Sequence, residues 1–467
     1  MDSLEPINTH VPLDVFDVVL SHVHDADDLR SCALVCGAWR PLARPYLFRG
    51  VVYRPAVPSR TFKDLVAFLS TLPEPGRFLR SVVVDGRSRD GERQLELDVD
   101  EILGQLAQLP TVTHITLTAL RLSHPIPGTV ASTPLDLSLA PKPSRAVKEV
   151  KIQECHFIRD VRPFRRILSS FGRIDALVLQ HVFFESMVRA QPELAELPPL
   201  ELELGTVFVS AVTGFTHVLE KMFGGFQRDA QPQSSPLSFA MALRGGTLYR
   251  ATMIDIVRPL KKYVHTLSMN VLGFTCDLKW IIKEQVNSSP LKRSDVRVPK
   301  DWADGFHLEE YSSLDTLVLY STTTSLLRRE AATLLYSGIL ANNWRLLTQT
   351  PPQNLRHVEL RFQRYGPHWR DTIDELWAID DLEPALVRWE TVDAGMLVRF
   401  PYLESFTCVL CDGGFVEQWG PFGKELAATP RSAHSRQAEF DDYVTFLQDA
   451  FPRLHAAGRL HFRMSDV

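Results

Sequence analysis

Four segments of the chain share one recurring form of six residues, in which the first, fourth and sixth residues are apolar. They are Ile174–Leu179, Val264–Met269, Leu314–Leu319 and Leu355–Leu360. Successive residues of a strand point to opposite faces, so apolar residues two positions apart are expected to line one side of a sheet. Amphipathic helices such as Thr61–Leu72 lie between such segments. The form therefore predicts an α/β chain with a parallel sheet.

Strand candidates of similar composition recur along most of the chain, separated by helical or turn-rich stretches. Their spacing is irregular, roughly 25 to 50 residues. SFAMAL at 238–243 adds one more candidate. The remaining candidates are Leu79–Val84, Val112–Leu117, Val147–Ile152, Leu200–Leu204 and Leu403–Val409.

The recurring form resembles the strand of leucine-rich repeats, L-x-x-L-x-L. The resemblance implies an irregular α/β solenoid over residues 60–467, in which neighbouring units cover each other's apolar faces. The Asn that normally recurs in such repeats is missing, so the resemblance is to a divergent form. An ordinary compact α/β domain is the alternative. Loops rich in Pro, Ser or polar residues are predicted near 123–145, 224–236 and 427–436.

The block at residues 11–50 is different, because it packs many apolar side chains into three short helical segments. Pro12 lies at the first helix entry, where its missing N–H costs nothing. Asp25–Asp28 supply N-cap candidates for the second helix, and Gly37 ends it. One stripe of the first helix holds Leu13, Phe16, Leu20 and Val23, and a second stripe beside it holds Val15 and Val19.

This block resembles an F-box. The resemblance rests on Val11-Pro12-Leu13, the apolar run Val15–Leu20, the step Asp28-Leu29, the stretch Cys32–Cys36 and Trp39. It implies that the block binds the linker subunit of SCF-type cullin-RING ubiquitin ligases, and through it a cullin. Residues 1–10 are then an N-terminal tail. The residues expected to dock are Pro12, Leu13, Val15, Phe16, Val19, Leu20, Leu29, Leu34, Val35 and Trp39. Some of them must instead pack the three helices together.

Composition excludes several other classes of protein. The chain has 467 residues, 45% of them hydrophobic and 23% charged, with a formal net charge of −5. A nucleic-acid partner is not expected, because such proteins usually have a basic excess. No window has the roughly 18 consecutive apolar residues of a membrane span. Six scattered cysteines make a poor disulfide framework, so we expect a cytoplasmic or nuclear protein.

The sequence contains few residues in arrangements typical of catalytic or metal sites. Cys408 and Cys411 form a C-x-x-C, but a zinc site needs four ligands and no second pair has suitable spacing, so both are expected to be buried apolar residues. The short motifs of phosphate loops, nucleophile elbows and zinc hydrolases are absent. We therefore expect no catalytic residues, no metal and no cofactor, although enzyme classes without a short motif stay open.

The expected function is that of a substrate receptor of a ubiquitin ligase, with the F-box binding the linker subunit and the repeats binding a client protein. The alternative is a repeat-scaffold interaction module without a ligase role. Outward positions on the strands are mixed in charge and predict no single charged ligand. They include His114, Thr116, Lys148, Lys151, Arg356, His357, Glu359 and Arg361.

Overall fold

The fold is described for most of the strands and for the helices that flank them. The computed structural model describes residues 13–23, 25–35, 37, 39–54, 61–71, 78–87, 94–123, 145–158, 162–184, 202–210, 236–244, 260–273, 306–324, 343–365, 389–411 and 433–465. The predicted tail and most of the three predicted loops lie outside these residues. The third loop prediction is wrong at its end, because residues from Ala433 onward are helical.

The chain divides into two compact units. The first comprises Met1–Val178 with Val182–Glu185, and the second comprises Leu179–His181 with Ser186–Val467. Both contain helices and parallel strands, so the predicted α/β class with a parallel sheet is confirmed.

The first unit begins with three short helices and continues with strands. Its helices are α1 (Leu13–Ser21), α2 (Ala26–Val35), α3 (Trp39–Leu47), α4 (Phe62–Thr71), α5 (Val99–Ala107) and α6 (Arg162–Ser169). Its strands are β1 (Gly50–Tyr53), β2 (Ser81–Asp85), β3 (Leu95–Asp98), β4 (His114–Thr118), β5 (Leu120–Ser123), β6 (Ala146–Gln153), β7 (His156–Phe157), β8 (Arg173–Gln180) and β9 (Phe183–Phe184). One sheet runs β1-β2-β4-β6-β8, and a small one runs β3-β5-β7-β9.

The second unit is built on one run of parallel strands that pair in chain order. The strands are β10 (Glu203–Ser210), β11 (Leu237–Arg244), β12 (Val264–Gly273), β13 (Thr316–Thr324), β14 (His357–Tyr365), β15 (Ser405–Cys411) and β16 (Leu460–Ser465). The helices are α7 (Trp389–Arg399), α8 (Ala433–Ala450) and α9 (Pro452–Ala456), with a 3-10 turn at Leu308–Glu310 and helical residues at 343–347.

Register places the apolar positions of successive strands side by side. Leu317 pairs with Val358, which pairs with Phe406, and all three are buried. The row two residues further along, Leu319 and Leu360, is buried in the same way. Each strand thus completes the cover of the strand before it, which is the main source of stability for elements that are short on their own.

Five strands, β2, β4, β13, β14 and β15, start two residues later than the sequence predicts, and a repeated backbone hydrogen bond lies near the start of several strands. The carbonyl of Arg80 accepts two backbone N–H groups, from Thr113 at 2.8 Å and His114 at 2.9 Å. The carbonyls of Thr113 and Arg356 accept two N–H groups from their next strands in the same way. In the five strands that start late, the first apolar residue of the form, such as Leu79, is buried but precedes its strand.

One strand prediction was misplaced more seriously. Residues Leu200 to Leu204 alternate like a strand, but β10 spans Glu203–Ser210. The reason is that Leu204, Val207 and Val209 carry the recurring form and all three are buried. Of the predicted segment, Leu200 and Glu201 lie outside the described residues, and Leu202 is buried but precedes β10.

A left-handed residue follows three successive strands of the main sheet. Ala119, Glu154 and His181 have φ of 53°, 54° and 51°, directly after β4, β6 and β8. L-residues adopt this conformation only where surrounding contacts hold it. Here it turns the chain into β5, β7 and β9, and the Ala119 N–H donates to the Gln153 carbonyl at 2.9 Å. The same turn thus recurs with a different residue each time.

Cys155 has a role that the sequence analysis overlooked. Residues 147–157 follow the longer pattern L-x-x-L-x-L-x-x-C-x-L, in which Cys155 holds the position that Asn or Cys takes in leucine-rich repeats. Its buried thiol lies 3.4 Å from the Leu117 carbonyl and 3.3 Å from the Gln153 carbonyl, and donates to both. The cysteine therefore links one strand to its neighbour.

Arg145 anchors the chain where it enters β6. Its guanidinium donates to the carbonyl of Leu106 at 2.8 Å, of Leu109 at 3.1 Å and of Val112 at 2.8 Å. A cation suits this place, because the carbonyls at the C-terminal end of α5 carry the negative end of the helix dipole. Burial lowers the pKa of Arg145 from its usual value. The charged residue thus fixes the end of the predicted 123–145 loop.

Asp393 joins two helices of the second unit. It is buried on α7, and its carboxylate accepts the backbone N–H groups of Arg453 and Leu454, both at 2.9 Å. These are N–H groups of the first turn of α9, which have no partner within that helix. A carboxylate from another helix therefore takes the place of a local N-cap.

Gly86 stands after β2 where close packing leaves no room for a side chain. An added Cβ would lie 2.4 Å from the Ala119 carbonyl oxygen, whereas the same addition at Gly104 in α5 meets nothing within 4 Å. We expect Gly86→Ala to lower the free energy of unfolding by about 2 kcal/mol or more, because backbone must move. Gly104→Ala should raise it by about 0.5–1 kcal/mol, since Ala is the better helix former.

Denaturant unfolding followed by circular dichroism measures both changes. Equal stability of the two variants would contradict the close packing assigned to Gly86.

Candidate functional site

The three N-terminal helices form a small domain-like block with its own capping. The Asp25 carboxylate accepts the N–H of Asp27 at 2.7 Å and of Asp28 at 3.1 Å. This is the N-cap predicted for α2, and it satisfies donors that the helix itself leaves free.

Few residues make the interior of this block. Leu20, Leu29 and Ala43, one from each helix, are buried against one another. Several partly buried residues pack around them: Val23, Cys32, Ala33, Leu42, Tyr46 and Leu47. The interior thus occupies one side of each helix.

Two contacts hold α1 against α3. The rings of Phe16 and Trp39 lie 4.6 Å apart between centroids, at an angle of 54°. The Tyr46 hydroxyl donates to Asp17, 3.1 Å from its carbonyl oxygen and 3.0 Å from its carboxylate. Burial and the neighbouring Asp17 raise the pKa of Tyr46, so it keeps its proton and remains a donor.

The opposite side of α1 is apolar but exposed. Val15, Val18 and Val19 lie on one helical face, since they are spaced three and four residues apart. All three are exposed, and Val18 reaches 60%. Valine has no polar group that water could hydrate, and the described residues of the chain do not cover this apolar face.

The C-terminal end of α2 shows the same feature more strongly. Leu34 is 85% exposed, and Val35 beside it is exposed as well. Asp27 and Arg30 form an ion pair earlier in α2, on its solvent side. We name the residues Val15, Val18, Val19, Leu34 and Val35 the open apolar residues.

The predicted docking residues differ in how exposed their side chains are in the structure. Pro12 lies outside the described residues, and Leu13 is the first residue of α1, with its side chain outside them. Phe16 and Trp39 are half-buried against each other. The exposed members are Val15, Val19, Leu34 and Val35.

Two predicted docking residues belong to the interior instead. Leu20 is 1% exposed and Leu29 is also buried, so both pack the three helices together. Val18 was missed, although its position three residues after Val15 marks the same face.

Cys408 and Cys411 are buried, as predicted, and so is Cys155, whereas Cys32 is half-buried. Burial raises the pKa of Cys411 to about 11 and that of Cys155 to about 12, and it raises the pKa of Cys408 further. A thiol in this state is a poor nucleophile, because the thiolate is the reactive form. Among the described residues, no group of three or more His, Cys, Asp or Glu is placed to hold a metal ion.

The outward strand positions named from the sequence are half-buried or exposed, as predicted. Those of the first unit are His114, Thr116, Lys148 and Lys151, and those of the second are Arg356, His357, Glu359 and Arg361. In the second unit His357 pairs with Ser405 and Glu359 with Thr407, whereas Arg361 pairs with the buried Val409. Charges of both signs alternate there.

No protein-family model matches the sequence, and no curated protein matches it either. Among the helices of the described residues, none combines the length and apolarity that crossing a bilayer requires.

The division between interior and open residues can be measured. Leu20→Ala should destabilise the three-helix block by about 2–4 kcal/mol, because it empties a buried site. Val19→Ala, one position away but exposed, should change stability by less than about 0.5 kcal/mol.

Native-state amide hydrogen exchange of α1, α2 and α3 in the full chain is the appropriate measurement. A loss of protection in Val19→Ala as large as that in Leu20→Ala would contradict the assignment.

Proposed function

We propose that this chain is the substrate receptor of an SCF-type ubiquitin ligase. In this proposal the N-terminal block is an F-box that docks on the linker subunit, and the remaining chain holds a client protein. The order of sequence features from Pro12 to Trp39 motivates the proposal, and the open apolar residues support it.

The observation that carries the proposal is the contrast between neighbouring positions of the same helices. Leu20 is enclosed while Val19 is open, and Leu29 is enclosed while Leu34 is open. Burying one Leu or Val side chain contributes about 1.5–3 kcal/mol. Several such residues left open on adjoining helices provide the affinity that a partner protein needs.

The described residues offer no competing chemistry. Their cysteines have no disulfide partners, and those outside α2 are buried. In the proposed role the chain performs no covalent step, and it raises the effective concentration of the client beside the ligase. Free thiols suit the reducing cytoplasm or nucleus, where we place the protein.

We propose further that the rest of the chain is a divergent leucine-rich-repeat solenoid. The pattern at residues 147–157, the repeated left-handed turn and the carbonyls that accept two N–H groups all support repetition. Parallel pairing in chain order suits stacked units.

A second function has one observation in its favour. Leu20, Leu29 and Ala43 give the three helices an interior of their own, so the block can also serve as the cap of a repeat scaffold without a ligase role. In that case the linker subunit would not bind.

Direct binding to the purified linker subunit tests the proposal. Leu34→Ser combined with Val35→Ser should weaken binding at least about 100-fold, because two apolar side chains lose their burial. Both positions are exposed, so the fold should tolerate the change. Replacing Pro12 and Leu13 by Ala is expected to abolish binding as well.

Val398→Ser is the matched control, since this valine of α7 is 79% exposed but lies in the second unit. It should leave binding within about twofold of the unchanged chain. If the unchanged chain fails to bind the linker subunit, or if the double Ser variant binds as well as the control, the receptor proposal is wrong.

A further inference from the structure

The last three strands of the second unit carry a compact group of polar residues on their outward face. Glu359, Thr407 and His461 are paired across β14, β15 and β16. Two residues further along, Arg361, Val409 and Arg463 are paired in the same way. Residues two apart on a strand share a face, so these six positions form one patch.

Within the patch, one carboxylate lies between two guanidinium groups. The Oε1 atom of Glu359 accepts from Nε of Arg361 and, at 3.1 Å, from an Nη of Arg463. The Glu359 side chain is 16% exposed, whereas that of Arg463 is 55% exposed. The negative charge is therefore mostly covered, and the positive charge faces solvent.

Arg361 is held in place from a third side. Its guanidinium donates to the Tyr320 hydroxyl at 3.0 Å and lies over the Tyr320 ring, 5.4 Å from the centroid. Val409, between the two arginines in the register, is fully buried although it lies on the outward face. Arg361 is thus held by its neighbours next to the buried Val409, and less side-chain entropy is lost when it binds a ligand.

The neighbouring row of the same face is electrically balanced. Arg356 pairs with Glu404 at 3.0 Å, and the His357 ring lies 2.9 Å from the Ser405 hydroxyl and 3.9 Å from Glu404. In that row the charges of Arg356 and Glu404 balance each other. The excess of one positive charge therefore belongs to Arg361 and Arg463 with Glu359, in a chain whose net charge is −5.

We propose that this patch binds an acidic side chain of a client protein segment. The two guanidinium groups converge on one oxygen of Glu359, so a second carboxylate can bridge their remaining N–H groups. His461 and Thr407 add donors beside it. This inference rests on the proposed receptor function for the identity of the client, but the patch needs no contribution from the N-terminal helices.

A model peptide tests the chemistry. Fluorescein-labelled (Glu-Ser)5 should bind the full chain at low ionic strength, as followed by fluorescence anisotropy, and the equally labelled (Gln-Ser)5 should not. Salt should weaken the binding, because part of the attraction is screened. Absence of any difference between the two peptides overturns the proposal.

Substitutions locate the site. Arg463→Glu should weaken (Glu-Ser)5 binding about tenfold, whereas Arg453→Glu, the same charge change on α9, should alter it less than about twofold. Glu359→Gln should strengthen binding about threefold or more, since it removes the competing carboxylate, and a misfolded variant would not gain affinity. Equal losses in the two Arg variants, or a loss in Glu359→Gln, overturn the proposal.

Linker binding by the same variants separates the two proposals. Arg463→Glu should bind the linker subunit normally. A chain that binds linker but not (Glu-Ser)5 disproves the acidic-segment inference alone, and a chain that binds the peptide but not linker disproves the receptor role.

Discussion

The burial of alternate apolar side chains between neighbouring parallel strands is the constraint on which the rest of the structure depends. The strands have two to ten residues and none can cover its own apolar row, so each relies on the next. The backbone reinforces this dependence where one carbonyl, such as that of Arg80, accepts two N–H groups from the following strand. Cys155, Arg145 and Asp393 then satisfy or supply polar groups where strands and helices meet. The outward face is left free to carry chemistry such as the Arg361 and Arg463 pair.

The three N-terminal helices differ, because several of their apolar side chains are not buried. Elsewhere in the described residues, the large apolar side chains of the strands are mostly buried. In contrast, α1 and α2 expose the five open apolar residues, which lie close in sequence to buried ones. Removing apolar side chains from water is favourable, so a partner that covers this face contributes their transfer free energy to binding. The F-box resemblance and the open face are independent observations, one of sequence and one of structure, and both favour a second polypeptide as the missing cover.

Sequence patterns predicted what depends on periodicity and failed where packing decides. The alternation at Leu317 and Leu360 identified buried strands correctly. The start of β10 was missed, because alternation before Leu204 resembles a strand equally well. Helical spacing gave α1 two apolar stripes but no means of choosing between them, since the position of α3 decides that Leu20 is enclosed and Val19 is not. The covered carboxylate of Glu359 also depends on side chains from another strand, which no local pattern encodes.

Site-specific photocrosslinking tests most directly whether the open apolar residues are completed by a partner. A p-benzoylphenylalanine at position 34 of the full chain, irradiated with purified linker subunit, should give a covalent one-to-one adduct. The same group at position 398 should give none. No adduct at position 34, or equal adducts at both positions, would contradict the account.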